Sequence, residues 1–164
     1  MKRISFFTAI CLILVLSGCK KDSVENIPLG TFKVEIGGTK YTFNELARAS
    51  RLQVTGGYGI QIQGNYRVGS TTNLTITIVR PTPITGGSYR ENAASNPLVT
   101  MVHCTEVLFP CVLRAEQYGS TSNPVEIILT EVTGNSVRGT FKGELLSSSG
   151  GKEVLTNGQF YVRF

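Results

Sequence analysis

Acid–base chemistry near neutral pH in this 164-residue chain must use its one histidine, His103, or a carboxylate. The alternation of "LVTMVHCT" sets His103 on a strand face with Val99 and Met101, opposite Leu98, Thr100, Val102 and Cys104. That pattern predicts an outward-facing surface histidine. Nucleophilic hydrolysis needs an activated nucleophile, as in a Gly-x-Ser-x-Gly elbow, yet "VGST", "YGST" and "GGSY" all lack the second glycine. Glycoside hydrolysis needs two carboxylates facing each other. Asp22 is the only aspartate, and Glu35, Glu116, Glu126 and Glu144 each fall opposite an apolar strand face, as solvated residues do. A single histidine, no C-x-x-C pair and no aspartate-rich loop leave no metal-ligand set. In "GGYGIQIQG" the third glycine of a dinucleotide fingerprint falls on Ile62, and a strand pattern follows where a helix is needed. These residues predict a protein that is not an enzyme and takes no metal or cofactor.

Cysteines carry the remaining chemistry. Met1-Lys2-Arg3 precedes an almost wholly apolar run, Ile4 to Leu16, then Ser17-Gly18-Cys19 and two lysines. A basic start, a short apolar core and small residues before a cut make a secretory signal, and the run is too short for a transmembrane helix. Leu16-Ser17-Gly18-Cys19 resembles the lipobox of bacterial lipoproteins. The resemblance implies that the 1–18 leader is removed and that Cys19 becomes an acylated first residue, a lipid anchor to a membrane. Each buried methylene of such a chain adds about 0.8 kcal/mol, so two or more acyl chains hold stably.

Residues 19–29 then read as a lipidated tether, polar and without periodicity, ahead of one domain over 30–164. Stretched fully, ten tether residues reach about 35 Å. Lys20 follows the cysteine where an aspartate retains enterobacterial lipoproteins at the inner membrane, so the resemblance implies the outer membrane. "KKDSVE" partly resembles the surface-export signal of Bacteroidetes lipoproteins, with Ser23 standing where the second acid would be, and Asp22-Ser23-Val24 fits their O-glycosylation triplet. Sixteen basic side chains stand against eleven acidic ones. Loss of Lys2 and Arg3 with the leader lowers the net charge from +5 to +3. No basic block interleaves with aromatics, which argues against nucleic acid as a partner.

Once Cys11 leaves with the leader and Cys19 is acylated, Cys104 and Cys111 remain. In an oxidising compartment this pair predicts a disulfide, two free thiols being the alternative. With Cys104 opposite Cys111, Val102 stands opposite Leu113, and the crosslinked hairpin presents Val107, Leu108 and Phe109, with Pro110, at its tip. An apolar tip departs from the polar norm for loops and is a candidate partner surface. The alternative is a tip folded over an open end of the domain.

The elements that must position these residues alternate with period two. "YGIQIQGNYRV" places Tyr58, Ile60, Ile62, Gly64, Tyr66 and Val68 on one face, and "NLTITIV" places Leu74, Ile76 and Ile78. "VRGTFKGEL" turns Val137, Phe141 and Leu145 inward, and "VLTNGQFYVRF" does so with Val154, Phe160, Val162 and Phe164. Gly37-Gly38 and Gly134-Asn135 mark turns, Gly56-Gly57 another, and Gly64 a bulge. Only "NELARAS", with Asn44 as cap, offers a helical turn. The pattern predicts an all-β antiparallel sandwich or flattened barrel of about nine or ten strands. "FKVEIGGTKYTF" near the start and "GTFKGELLSSSGGKEVLTNGQFYVRF" at the end resemble small β-rich Bacteroidetes lipoproteins of unknown function, a family that supplies no catalytic residues.

The expected function is an outer-membrane-anchored, non-catalytic binding or envelope accessory module whose partner is a protein or a glycan. The alternative is an inhibitor or immunity-type lipoprotein that offers the 104–111 loop to an enzyme.

Overall fold

The computed structural model describes residues 26–91, 98–105, 108–115, 123–147 and 151–164, with 108–115 and 147 as backbone only. The leader, Cys19 and the first tether residues lie outside them.

Among the described residues eleven strands form: β1 (Thr31–Ile36), β2 (Thr39–Thr42), β3 (Glu45–Val54), β4 (Gly57–Asn65), β5 (Asn73–Arg80), β6 (Gly87–Arg90), β7 (Leu98–Thr105), β8 (Leu108–Ala115), β9 (Glu126–Val132), β10 (Ser136–Ser147) and β11 (Lys152–Arg163). Every pairing is antiparallel. One layer runs β2-β1-β11-β10-β9-β6 and the other β7-β5-β4-β3, while β8 pairs β7 and touches only Leu146 and Ser147 of β10. The terminal strands of this path, β2 and β3, do not pair, so the sandwich is not closed into a barrel. Among the described residues there is no helix.

Between the layers, Phe32 meets Phe43, Phe141 and Phe160 with ring centroids 5.8, 5.8 and 6.3 Å apart. Against them pack Ile60, Ile62, Leu74, Ile76, Ile78 and Met101, all buried. Tilted and edge-on aromatic pairs of this kind add about 0.5–1.5 kcal/mol beyond area burial. Gly64 lies in this wall as a point of close approach: a Cβ there would collide with the Phe43 carbonyl oxygen and press on the Phe32 ring. The expected bulge is on the partner strand instead, where β3 advances from Glu45 to Arg48 while β4 moves only from Asn65 to Gln63.

The Gly37-Gly38 turn holds both residues at positive φ (55° and 84°), the geometry a two-residue hairpin with right-handed strand twist requires. Within the expected tether, Ile27 is already buried and Asn26 Oδ1 accepts from Arg138, and just beyond it the Gly30 N–H donates to the Tyr161 carbonyl.

Four local expectations need correction. "NELARAS" enters β3 rather than a helical turn; the Ala47 N–H to Asn44 carbonyl bond is its only turn-like feature, and the β4 ladder overrides local helix propensity. Tyr58, Tyr66 and Val68 are exposed: Tyr58 stands at the start of β4, beside the turn from β3, and Tyr66 and Val68 fall in the connection beyond Asn65. On β11, Val154 is exposed and Leu155 buried. There β11 advances from Thr156 to Gln159 while β1 moves from Glu35 to Lys33, and Asn157 at φ 55° absorbs the extra residue. Glu144 is buried rather than solvated, and Lys152 reaches it at 3.0 Å.

Candidate ligand-binding cleft

The largest correction falls on β7. Leu74, Ile76 and Ile78 face the core, and their direct cross-strand partners are His103, Met101 and Val99. These three are therefore inward, and Thr100 and Val102 lie on the other face. The strand is inverted relative to the sequence pattern, which is ambiguous because both faces of "LVTMVHCT" carry apolar residues. His103 is 1 % exposed. Its Nδ1 lies 2.9 Å from Glu153 Oε2, and its ring stands edge-on to Tyr41 and Phe43, each 6.0 Å away.

A general base must come within hydrogen-bond reach of the proton it takes. His103 lies beneath Tyr41 and Phe43, and among the described residues its buried Nε2 has no hydrogen-bond partner, so the ring packs as part of the aromatic wall. That wall continues outward. Tyr41 meets Tyr66 at 5.5 Å, Phe43 meets Tyr66 at 6.3 Å, and Tyr66 emerges 41 % exposed.

Tyr66 edges an open cleft of about 450 Å³, lined also by Lys40, Thr42, Asn44, Glu45 and Arg67. Lys40 and Thr42 are the outward residues of β2, alternating with inward Tyr41. Asn44 is fixed because its Oδ1 accepts the Phe32 N–H at 2.9 Å, which leaves its amide NH₂ as the group it offers. Tyr66 and Arg67 open the connection from β4 to β5, which the Tyr66 N–H closes by donating to the Thr72 carbonyl. The Arg67 guanidinium lies 5.8 Å from the Tyr66 ring centroid. The set therefore combines an aromatic face, hydroxyl and amide groups, two cations and one carboxylate.

Next to this lining, Leu46 is held at φ 54° and is 70 % exposed, and Val68 is 82 % exposed. A leucine in the left-handed region is strained, and strain of this sort concentrates at functional sites. Sequence reasoning missed the whole cleft. Its only signal was an aromatic, Tyr66, predicted inward and followed at once by Arg67.

Of the residues singled out from sequence, Cys104 is buried at an irregularity where β8 advances from Leu113 to Leu108 against His103 to Thr105 on β7. Val102 stands opposite Arg114 rather than Leu113, so the hairpin register differs by one from that expected. The Cys111 side chain and Val107 lie outside the described residues, as does Cys19. Leu108 and Phe109 belong to β8, with Leu108 opposite Thr105. Among the described residues no group of three or more His, Cys, Asp or Glu side chains could hold a metal ion.

One carboxylate elsewhere is chemically unusual. Glu91 is buried, and its Oε2 accepts the Val125 N–H at 3.0 Å. Burial lifts its carboxyl above the ordinary carboxylate range, against the lowering effect of that hydrogen bond. No family model matches the chain, and no curated protein or solved structure does.

Proposed function

We propose that this chain is a lipid-anchored, non-catalytic binding module of the outer membrane, held through Cys19 and engaging a protein or glycan partner at the Tyr66 cleft. The observation that carries this reading is the cleft's make-up. An exposed aromatic, hydroxyl and amide groups and two cations converge from strands and a braced connection, with an unusually exposed Leu46 beside them. Binding sites characteristically join an apolar surface to a few placed polar groups. Buried as it is, His103 supports a binding role for this region over an acid–base one.

The test is retention of envelope components by the full-length processed protein. Tyr66→Ala should weaken capture of the bound component at least tenfold, since anchor tyrosines carry about 2 kcal/mol or more at interfaces. Undiminished capture by Tyr66→Ala, or turnover of the captured component, overturns the reading. Its membrane half is checked separately. Cys19→Ser should leave an uncleaved precursor that takes up no palmitate label, and normal processing of that variant removes the anchor.

A further inference from the structure

The two outer faces of the sandwich differ in charge. On the first layer Lys33, Glu35, Arg138, Lys142 and Arg163 alternate with buried Phe32, Val34, Val137, Phe141 and Val162, so β1, β10 and β11 turn charge outward. On the second layer the outward residues of β3, β4, β5 and β7 fall into rows set by the register. Ser50 stands opposite Gln61, Gln61 opposite Thr77 and Thr77 opposite Thr100. This row is polar and uncharged. On one side of it runs an apolar row, Leu52, Gly59, Val79 and Leu98, and on the other run Arg48, Gln63, Thr75 and Val102. Arg48 is the one charge in these rows, and it lies on the edge strand β3. With its amide oxygen turned toward Arg48, Gln63 accepts from Nε and Nη2 at 3.0 and 2.9 Å. Ser50, Gln61, Thr75, Thr77 and Thr100 are part-exposed, and among the described residues their side chains have no hydrogen-bond partner.

We infer that this face binds a neutral glycan chain, laid across the strands along the row from Ser50 to Thr100. A hydroxyl donates and accepts at once and an amide carries both functions, which matches the hydroxyl and acetamido groups of uncharged sugars. Neighbouring strands lie about 4.8 Å apart, so the row offers a polar group at each strand over about 14 Å. That pitch is close to one ring of an extended sugar chain. Leu52, Val79 and Leu98 beside the row can take the C–H faces of the rings. Gly59 has no side chain and Leu52 lies across it, which keeps the apolar row low. The twist of a sheet makes the row a gentle spiral, suited to a single pliable chain over a flat crystal surface. An anionic polymer finds no uncommitted cation in these rows, and the charged face lies on the other layer. A protein partner fits less well, because interface centres are enriched in aromatic residues, Met and Arg, and the middle row holds none of them. This site is separate from the Tyr66 cleft and goes beyond that reading.

The probes are cellohexaose, laminarihexaose and chitohexaose, titrated against the full-length processed protein, with hexagalacturonate as the anionic control. At least one neutral chain should bind and the anionic one should not. The double variant Gln61→Leu, Thr77→Val removes two polar groups while keeping side-chain size and, at Thr77, the β-branch, so its unfolding curve should stay close to the parent. Its affinity for the bound glycan should fall at least tenfold, while Tyr66→Ala leaves that affinity unchanged. Failure of all three neutral chains to bind overturns the inference, as does equal affinity for the parent and the double variant. Loss of binding in Tyr66→Ala with retention in the double variant places the glycan in the cleft, so the cleft reading stands and this one falls. Self-association of the parent that Thr77→Lys abolishes, without glycan binding, assigns the face to a second copy and also overturns it.

Discussion

Strands β5 and β11 both read as alternating, and only one of them keeps its alternation throughout. In β5, Leu74, Ile76 and Ile78 are buried at every second position, and its pairing with β4 and β7 runs without a shift. In β11 the pattern holds for Phe160 and Val162 and then reverses below Asn157, where Leu155 is buried and Val154 is not. The difference is one residue in the left-handed region. An extra residue in one strand moves every side chain beyond it to the opposite face. A strand with threonines between its isoleucines has one dry face to choose. "KEVLTNGQF" offers two adjacent apolar residues, and the bulge chooses between them.

Removing a ring from the part of β11 that alternates as expected should have the largest effect. Phe160 is fully buried against Phe32 and Phe141, so Phe160→Ala should cost about 3–5 kcal/mol in a urea melt. Tyr161→Ala on the other face should cost far less. A larger loss from Tyr161 would mean that the strand is inverted even here.

Below the bulge the comparison sharpens. Leu155→Ala should cost about 2–5 kcal/mol, and Val154→Ala about 0.5 kcal/mol or less. A reversed ranking places the extra residue elsewhere. The bulge itself is probed by Asn157→Val. A β-branched side chain at φ 55° is strained, and the substitution should cost about 1–2 kcal/mol. Valine at an ordinary strand position would be harmless or better.

The smallest expected effect lies outside both strands, just after β6, where a polar group occupies a buried site. Glu91 has its folded-state pKa raised by burial. The folded protein therefore binds more protons than the unfolded chain between the ordinary carboxylate value and the raised one. Stability should fall as pH rises through that window and level off above it. Glu91→Gln keeps an acceptor for the Val125 N–H without burying a charge. It should flatten the slope and leave the protein more stable at pH 7 by about 1 kcal/mol or less. An unchanged slope would assign the pH dependence to another group.

Much of the architecture was legible because period-two hydrophobicity is a local consequence of strand geometry. Ile60, Ile62, Leu74, Ile76, Ile78, Val137, Phe141, Leu145, Phe160 and Val162 were all placed inward from spacing alone and are buried. The Gly37-Gly38 hairpin was legible because positive φ at two successive positions selects glycine. The cleft was not. Its residues come from β2, from the start of β3 and from the connection after β4, and nothing in their spacing says that these meet.

By itself, then, the sequence determined an all-β antiparallel fold, most of its inward faces and its tight turns, since each depends on residues a few positions apart; that the strands form an open sandwich and not a barrel was decided by their pairing. Only the tertiary structure decided which face of β7 is dry. Residue Val99, Met101 or His103 on one side and Leu98, Val102 or Cys104 on the other could each have supplied an apolar face. The choice fell to cross-strand pairing with Leu74, Ile76 and Ile78. That pairing carried the chain's one histidine from the expected surface into the wall behind Tyr41. Register is a property of two strands, and one strand's sequence specifies it only when its two faces differ.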